Sequence, residues 1–134
     1  MPIEIEQICT LNQADEEDLL KIYADYPIPS SEDTRHWLHH LATNQQLWAG
    51  RFNDRLLVAA QVDNKNADWQ LNHLCVRAVT RRRGTASQFL SLLYQAATRK
   101  KAVLSVRTTN RDNSMIELLK KNGFKEQANL LWQK

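Results

Sequence analysis

The sequence predicts a mixed α/β fold: a central mixed sheet built from a β-meander followed by a β-α-β crossover, with flanking helices. Two observations carry that expectation. Strand-like runs follow one another without a helix between them over LWAGRF, RLLVAAQV and Trp69 to Arg77. A helical repeat (Ala86, Phe89, Leu90, Leu93, Ala97) then separates the last of these runs from the short apolar segment Ala102 to Val106. Period-two and period-3.6 patterns in that order give a meander and then a crossover.

Each element has its own local reason. Ile3, Ile5 and the run to Cys9 alternate and open the chain as a strand. From Asp15 to Tyr26 acids come first and Leu19, Leu20, Ile22 and Tyr23 follow, which is helical, and Pro27 and Pro29 stop it. Ser30 and Ser31 are candidate caps for a second helix with the apolar stripe Trp37, Leu38 and Leu41. Between the first two meander strands stands Asn53-Asp54, a pair that tolerates positive φ and suits a tight hairpin. The crossover helix ends in Arg99, Lys100 and Lys101, cations that suit the negative end of its dipole. The turn TTNRDNS leads into a helix with Met115, Leu118 and Leu119, closed by Asn122-Gly123 as a left-handed cap. A last strand is expected from Phe124 to Trp132. The predicted order is β α α β β β α β α β, as one domain over residues 1–134.

Composition narrows the function classes. A net charge of +3 with mixed signs is too mild for a nucleic-acid binder. No apolar stretch approaches the roughly 20 residues a membrane helix needs, and the acidic, alternating start is unlike a signal peptide, so the cytoplasm is the expected compartment. The two cysteines, Cys9 and Cys75, lie in apolar alternating segments and are expected as buried reduced thiols rather than as a disulfide. His36, His39 and His40 have helical spacing that could hold a metal, but no carboxylate or cysteine partner is evident nearby. A polar helix face is the expectation, and no metal site.

The stretch VTRRRGTASQFL is the most informative in the chain. A strand, a loop with glycine and small residues, and a helix start form an anion site by geometry, because the first helical amides lack intrahelical partners. Gly84 lets a phosphate approach, Ala86 and Ser87 keep the entrance narrow, and Arg81, Arg82 and Arg83 add long-range attraction. A solvated charge cluster and a nucleic-acid patch are the alternatives. The second would need a wider basic face with exposed aromatics.

Arg81-x-x-Gly84-x-Ala86 resembles the (Gln/Arg)-x-x-Gly-x-(Gly/Ala) signature of the GNAT acetyltransferase superfamily, and it stands between the fourth strand and the third helix as it does there. Gly123-Phe124 resembles the Gly-Phe that follows that superfamily's fourth helix. Within it, DLLKIYADYPIPSS, WAGRFNDRLLVAAQV and LNHLCVRAVTRRRG resemble the PanZ, or PanM, family of aspartate decarboxylase maturation and regulatory factors. The resemblance runs from about Ile3 to Phe124 and lapses around Thr34 to Gln46.

The resemblance implies the GNAT fold and binding of acetyl-CoA or CoA. The pantetheine arm would pair with the backbone of Leu74, Cys75 and Val76 where two strands splay. The pyrophosphate would sit on the loop Thr80, Arg81, Arg82, Arg83, Gly84, Thr85, Ala86 and Ser87. Asn53 would belong to the cofactor-linked surface and, with Arg51, to the partner surface, although plain hairpin chemistry explains both equally well. The partner implied is aspartate 1-decarboxylase, as the proenzyme whose self-cleavage is promoted and as the mature enzyme later restrained.

Acetyl transfer needs a base for the ammonium proton and an acid for the departing thiolate. GNAT enzymes often place a tyrosine four residues before the glycine of the Gly-Phe pair, and here that position is Leu119, with no phenol one turn away. His73 is the weak candidate base. Alternation places it on one face with Leu71 and Cys75, where a partly buried, satisfied histidine is the alternative. Cys75 has no histidine at a spacing that would make it a nucleophile. A working N-acetyltransferase for a small-molecule or protein amine, with His73 or water as base, is the second function the sequence supports.

Overall fold

The computed structural model describes residues 2–27, 33–80, 84–108 and 113–134. Arg81, Arg82 and Arg83, the side chain of Thr80, and the expected caps Ser30 and Ser31 lie outside the described residues.

The strands are β1 (Glu4–Ile8), β2 (Leu47–Phe52), β3 (Arg55–Asp63), β4 (Asp68–Val76), β5 (Val103–Arg107), β6 (Lys125–Ala128) and β7 (Leu131–Gln133). The helices are α1 (Gln13–Ile22), α2 (Thr34–Thr43), α3 (Thr85–Arg99) and α4 (Asn113–Lys121). All seven strands form one sheet in the order β1-β2-β3-β4-β5-β7-β6, in which β4 and β5 are parallel and every other pair is antiparallel. The meander and the β4-α3-β5 crossover are therefore as expected.

Two apolar cores lie on the sheet. One gathers Val58, Val62, Leu71, Leu104 and Val106 with Phe89, Leu90 and Leu93 of α3 and Leu119 of α4. The other gathers Ile8, Leu47, Ala49, Leu56 and Ala59 with Leu19 and Ile22 of α1 and Trp37, Leu38 and Leu41 of α2. Helix α1 starts two residues earlier than expected, because Asn12 caps it by accepting the Asp15 amide at 2.8 Å. It stops at Ile22, ahead of the prolines. Asp33 caps α2 by accepting the His36 amide at 2.7 Å.

Both expected turns form. Asn53 and Asp54 have φ of 46° and 67°, as the tight turn between β2 and β3 requires. Gly123 has φ of 85°, and Phe124 donates back to the Leu119 carbonyl at 2.9 Å, closing α4.

Three further expectations are corrected. The last strand is two, β6 and β7, paired antiparallel around a turn at Asn129 and Leu130, with Leu130 at φ 60°. Asn129 is a turn former, and β6 is exposed throughout, so it lacks the alternation that marks a half-buried strand. Cys9 is exposed because β1 ends at Ile8, and Cys75 is half-buried; both are free thiols. The alternation along β4 also breaks. Asn72 pairs with Gln61 but Cys75 pairs with Ala59, so His73 and Leu74 stand opposite the single residue Ala60. His73 takes φ of 57° in this bulge. In consequence Leu71 packs in the α3/α4 core and Cys75 against the α1/α2 core, and they do not share a face.

Leu119, at the position where GNAT enzymes often carry a tyrosine, is fully buried in the α3/α4 core. Among the described residues no helix is long and apolar enough to cross a membrane.

Candidate functional site

Strands β4 and β5 pair from Asp68–Val103 to Leu71–Val106, and the parallel register ends there. Beyond it the bulge at His73 carries β4 along β3, and a groove opens between the two strands. A cavity of about 320 Å³ occupies it, walled by Leu74, Cys75 and Val76 of β4, Ala86 of α3, Ser114, Met115 and Leu118 of α4, and Tyr26. A second cavity of about 240 Å³ continues toward His73, Val106 and Thr108 and shares Tyr26, Leu74 and Met115 with the first. The groove wall is mostly apolar.

Helix α3 points its start at this groove. Gly84 caps it in the left-handed region at φ 81°, with no side-chain cap, and a Cβ there would meet nothing within 4 Å. A helix start capped by a glycine that offers no side-chain acceptor suits an anion. Thr85 is buried at 2% exposure and anchors the turn, while Ala86 reaches the groove. The expected residues Leu74, Cys75, Val76 and Ala86 thus come together, with Gly84, Thr85 and Ser87 in the adjoining turn.

The groove also holds a phenol that sequence spacing does not reveal. Tyr26 Oη lies 2.9 Å from His73 Nδ1, and the rings meet edge to face at 5.8 Å. Trp37 packs on the same imidazole at 5.5 Å, and Tyr23 Oη donates to the His73 carbonyl at 2.7 Å. Burial pulls the His73 pKa below the usual histidine value, which favours the uncharged ring. Burial raises the Tyr23 phenol well above the ordinary tyrosine value. The Cys75 thiol donates to the Ile22 carbonyl at 3.2 Å. His73 and Tyr26 are 47 residues apart, and only the packing of the α1 end on the bulge joins them.

Arg51 and Asn53 lie elsewhere, on the β2–β3 hairpin. Arg51 grips Glu6 at 2.8 and 3.0 Å and Asp15 at 2.9 and 3.1 Å, and it reaches the Asp54 carbonyl at 3.3 Å. These carboxylates raise the Arg51 pKa further, and the Arg51 hydrogen bond holds Glu6 below the usual carboxylate range. Asn53 is exposed at the tip, beside a hollow walled by Pro2, Glu4, Arg51 and Phe52. The groove walls do not include it. His39 pairs with Glu16, and His40 faces Asn44 at 3.3 Å. No cluster of three or more histidine, cysteine or acidic residues that could hold a metal occurs among the described residues.

A parallel strand pair that splays beside an uncapped helix start, on a seven-stranded mixed sheet, defines a protein of the GNAT acetyltransferase class. Solved structures agree. The putative N-acetyltransferase YhhK of Escherichia coli, determined bound to coenzyme A, matches with a TM-score of 0.71 and 27% identity, over 100% of this chain and 98% of that one. The PaiA N-acetyltransferase of Thermoplasma acidophilum, determined with coenzyme A, shares the fold at a TM-score of 0.75 and 14% identity, over 100% and 99% of the chains. More narrowly, the chain belongs to the PanZ family, whose acetyltransferase (GNAT) domain matches residues 2–132. The PanD regulatory factor of Escherichia coli is 36% identical over 90 residues, which are 67% of this chain and 65% of that relative's length.

Proposed function

We propose that this protein binds acetyl-CoA or CoA in the β4–β5 groove and, so loaded, acts on aspartate 1-decarboxylase, promoting maturation of the proenzyme and later restraining the mature enzyme. The observation that carries the reading is the groove joined to the Gly84-capped start of α3. The backbone of Leu74, Cys75 and Val76 would hold the pantetheine arm against the apolar wall of Met115 and Leu118. The turn from Thr80 to Ser87 would take the pyrophosphate, with Gly84 giving the room and Arg81, Arg82 and Arg83 the attraction. When bound, the cofactor supplies an activated acyl thioester. Membership of the PanZ family and the 36% identity to a PanD regulatory factor support the regulatory role.

Helix α4 turns only Ser114, Met115 and Leu118 toward the groove, and none is an acid that protonates a thiolate. Acetyl transfer to ordinary amines is expected to be slow, since general acid catalysis is typically worth about 10²–10⁴-fold. One observation favours a second reading, a working N-acetyltransferase. Tyr26 could give its proton to the sulfur as the C–S bond breaks, and neutral His73 could accept the proton of an attacking amine. Thiol release in the presence of polyamines, amino acids and peptides separates the two. Turnover near background supports the regulator, whereas robust turnover lost in both Tyr26→Phe and His73→Ala establishes the enzyme. Calorimetry should find one CoA per chain. No binding would remove the cofactor from both readings.

A further inference from the structure

Helix α1 touches both places that the proposed function needs to connect. Asp15, Asp18, Leu19 and Ile22 are its buried residues. The two carboxylates, at 6% and 3% exposure, face the β2–β3 hairpin. Asp15 holds Arg51 by both carboxylate oxygens. Asp18 takes Arg55 Nε at 3.0 Å and the Leu56 amide at 3.0 Å, so it binds side chain and backbone of the hairpin together. Buried carboxylates are costly to separate from their partners, so the hairpin is fixed to α1.

The other end of the helix is fixed to the groove wall. The Ile22 carbonyl accepts the Cys75 thiol, Tyr23 donates to the His73 carbonyl, and Tyr26 meets the His73 ring. All three contacts fall on the bulge or just after it, where β4 leaves β5. His73 is the left-handed residue of that bulge, so the wall is irregular where α1 grips it. A helix is stiff along its axis, and polar locks at both ends make it move as a body with whichever partner moves.

We infer that α1 is the element that couples the groove to the hairpin: filling the groove biases the His73 bulge, and α1 passes that bias through Asp15 and Asp18 to the Arg51–Asp54 surface that meets a protein partner. This inference rests on the reading of the groove as a CoA site and of the hairpin as a partner surface. Coupling of this kind is reciprocal, so the decarboxylase tightens CoA by the same factor that CoA tightens the decarboxylase, typically about 5–150-fold. Tyr23 and Asp18 line neither the groove nor the hollow at the hairpin tip, which makes them positioning residues.

The test measures the dissociation constant of CoA by calorimetry, alone and with saturating aspartate decarboxylase, for wild type, Tyr23→Phe and Asp18→Asn. Tyr23→Phe keeps the buried ring and removes only the hydroxyl link to His73. Asp18→Asn keeps an acceptor for the Leu56 amide and removes the charge facing Arg55. Both variants are expected to bind CoA alone as wild type does, while the coupling factor falls toward one. Folded variants with the full wild-type factor would overturn the role of α1 and leave the regulator reading standing. A wild-type factor of one would overturn that reading itself. Hydrogen exchange on wild type decides the matter independently of variant folding. Added CoA should slow exchange in residues 52–56 and in α1 as well as along the groove, and protection confined to the groove would overturn the inference.

Discussion

At the scale of single residues, Gly84 and His73 show what sequence can and cannot reveal. Gly84 was legible because a glycine between a strand and a helix start, with small residues after it, has few other uses. The structure adds a reason, since φ of 81° excludes most side chains even though the space around it is open. Gly84→Val should therefore lower folding stability by about 1–2 kcal/mol, the cost of a left-handed residue with a Cβ, measured by urea unfolding. It should also weaken CoA binding by at least about tenfold, because losing one hydrogen bond to a charged phosphate costs about 1.5–3 kcal/mol. Unchanged CoA affinity would remove the α3 start from the site. The partly buried, satisfied state of His73 is legible, but its face is not, because a bulge has no residue signature here and one extra residue reverses every side chain beyond it. Its pKa is lowered from 6.5 by burial, so the unfolded chain binds the proton more readily. The stability this contributes is full above pH 6.5 and is lost as pH falls through the lower folded value. Glu6, lowered from 4.5 by Arg51, has the same sign in a more acid window. Unfolding free energy should thus decline in two steps on acidification, and His73→Gln should flatten the first. A first step that survives in His73→Gln would place its origin elsewhere.

Among elements, the β2–β3 hairpin and α1 form one unit. The hairpin turn was legible in Asn53-Asp54, since both residues had to accept positive φ, and the α4 cap was legible in Asn122-Gly123 for the same reason. The attachment of hairpin to helix was not, because nothing in the sequence pairs Asp15 and Asp18 with Arg51 and Arg55 until the fold brings them together. Nothing in a helix's acidic first turn distinguishes a dipole partner from a buried anchor. Asp18→Ala should destabilise by about 1–3 kcal/mol, because the buried Leu56 amide loses its acceptor, and denaturant unfolding checks this. A change within a few tenths of a kcal/mol would mean that water replaces the carboxylate. The sequence does not show the β6–β7 hairpin as two strands for a related reason: exposed residues carry no period, so the turn at Asn129 stands without flanking pattern. Tyr26 belongs here too. Its value to the groove comes from where α1 ends, not from any motif around it.

Over the whole molecule, one seven-stranded sheet with β1 and β6 at its edges has the groove on the β5 side of β4 and the β2–β3 hairpin on its other side, with α1 in contact with both. The order of elements makes this architecture legible; the contacts of α1 with the hairpin and with the groove wall come only with the packing. A ligand that binds the folded state alone, present at 100 times its dissociation constant, should stabilise the protein by about 2.7 kcal/mol. Thermal unfolding with and without CoA checks this, and an unchanged midpoint would contradict CoA binding to the native fold. The central claim is that cofactor and protein act together on the decarboxylase. Its most direct test is the rate at which purified aspartate decarboxylase proenzyme cleaves itself, measured with this protein, with acetyl-CoA, and with both. Acceleration is expected only when both are present. Equal rates in all three conditions, or full acceleration by the protein without acetyl-CoA, would contradict it.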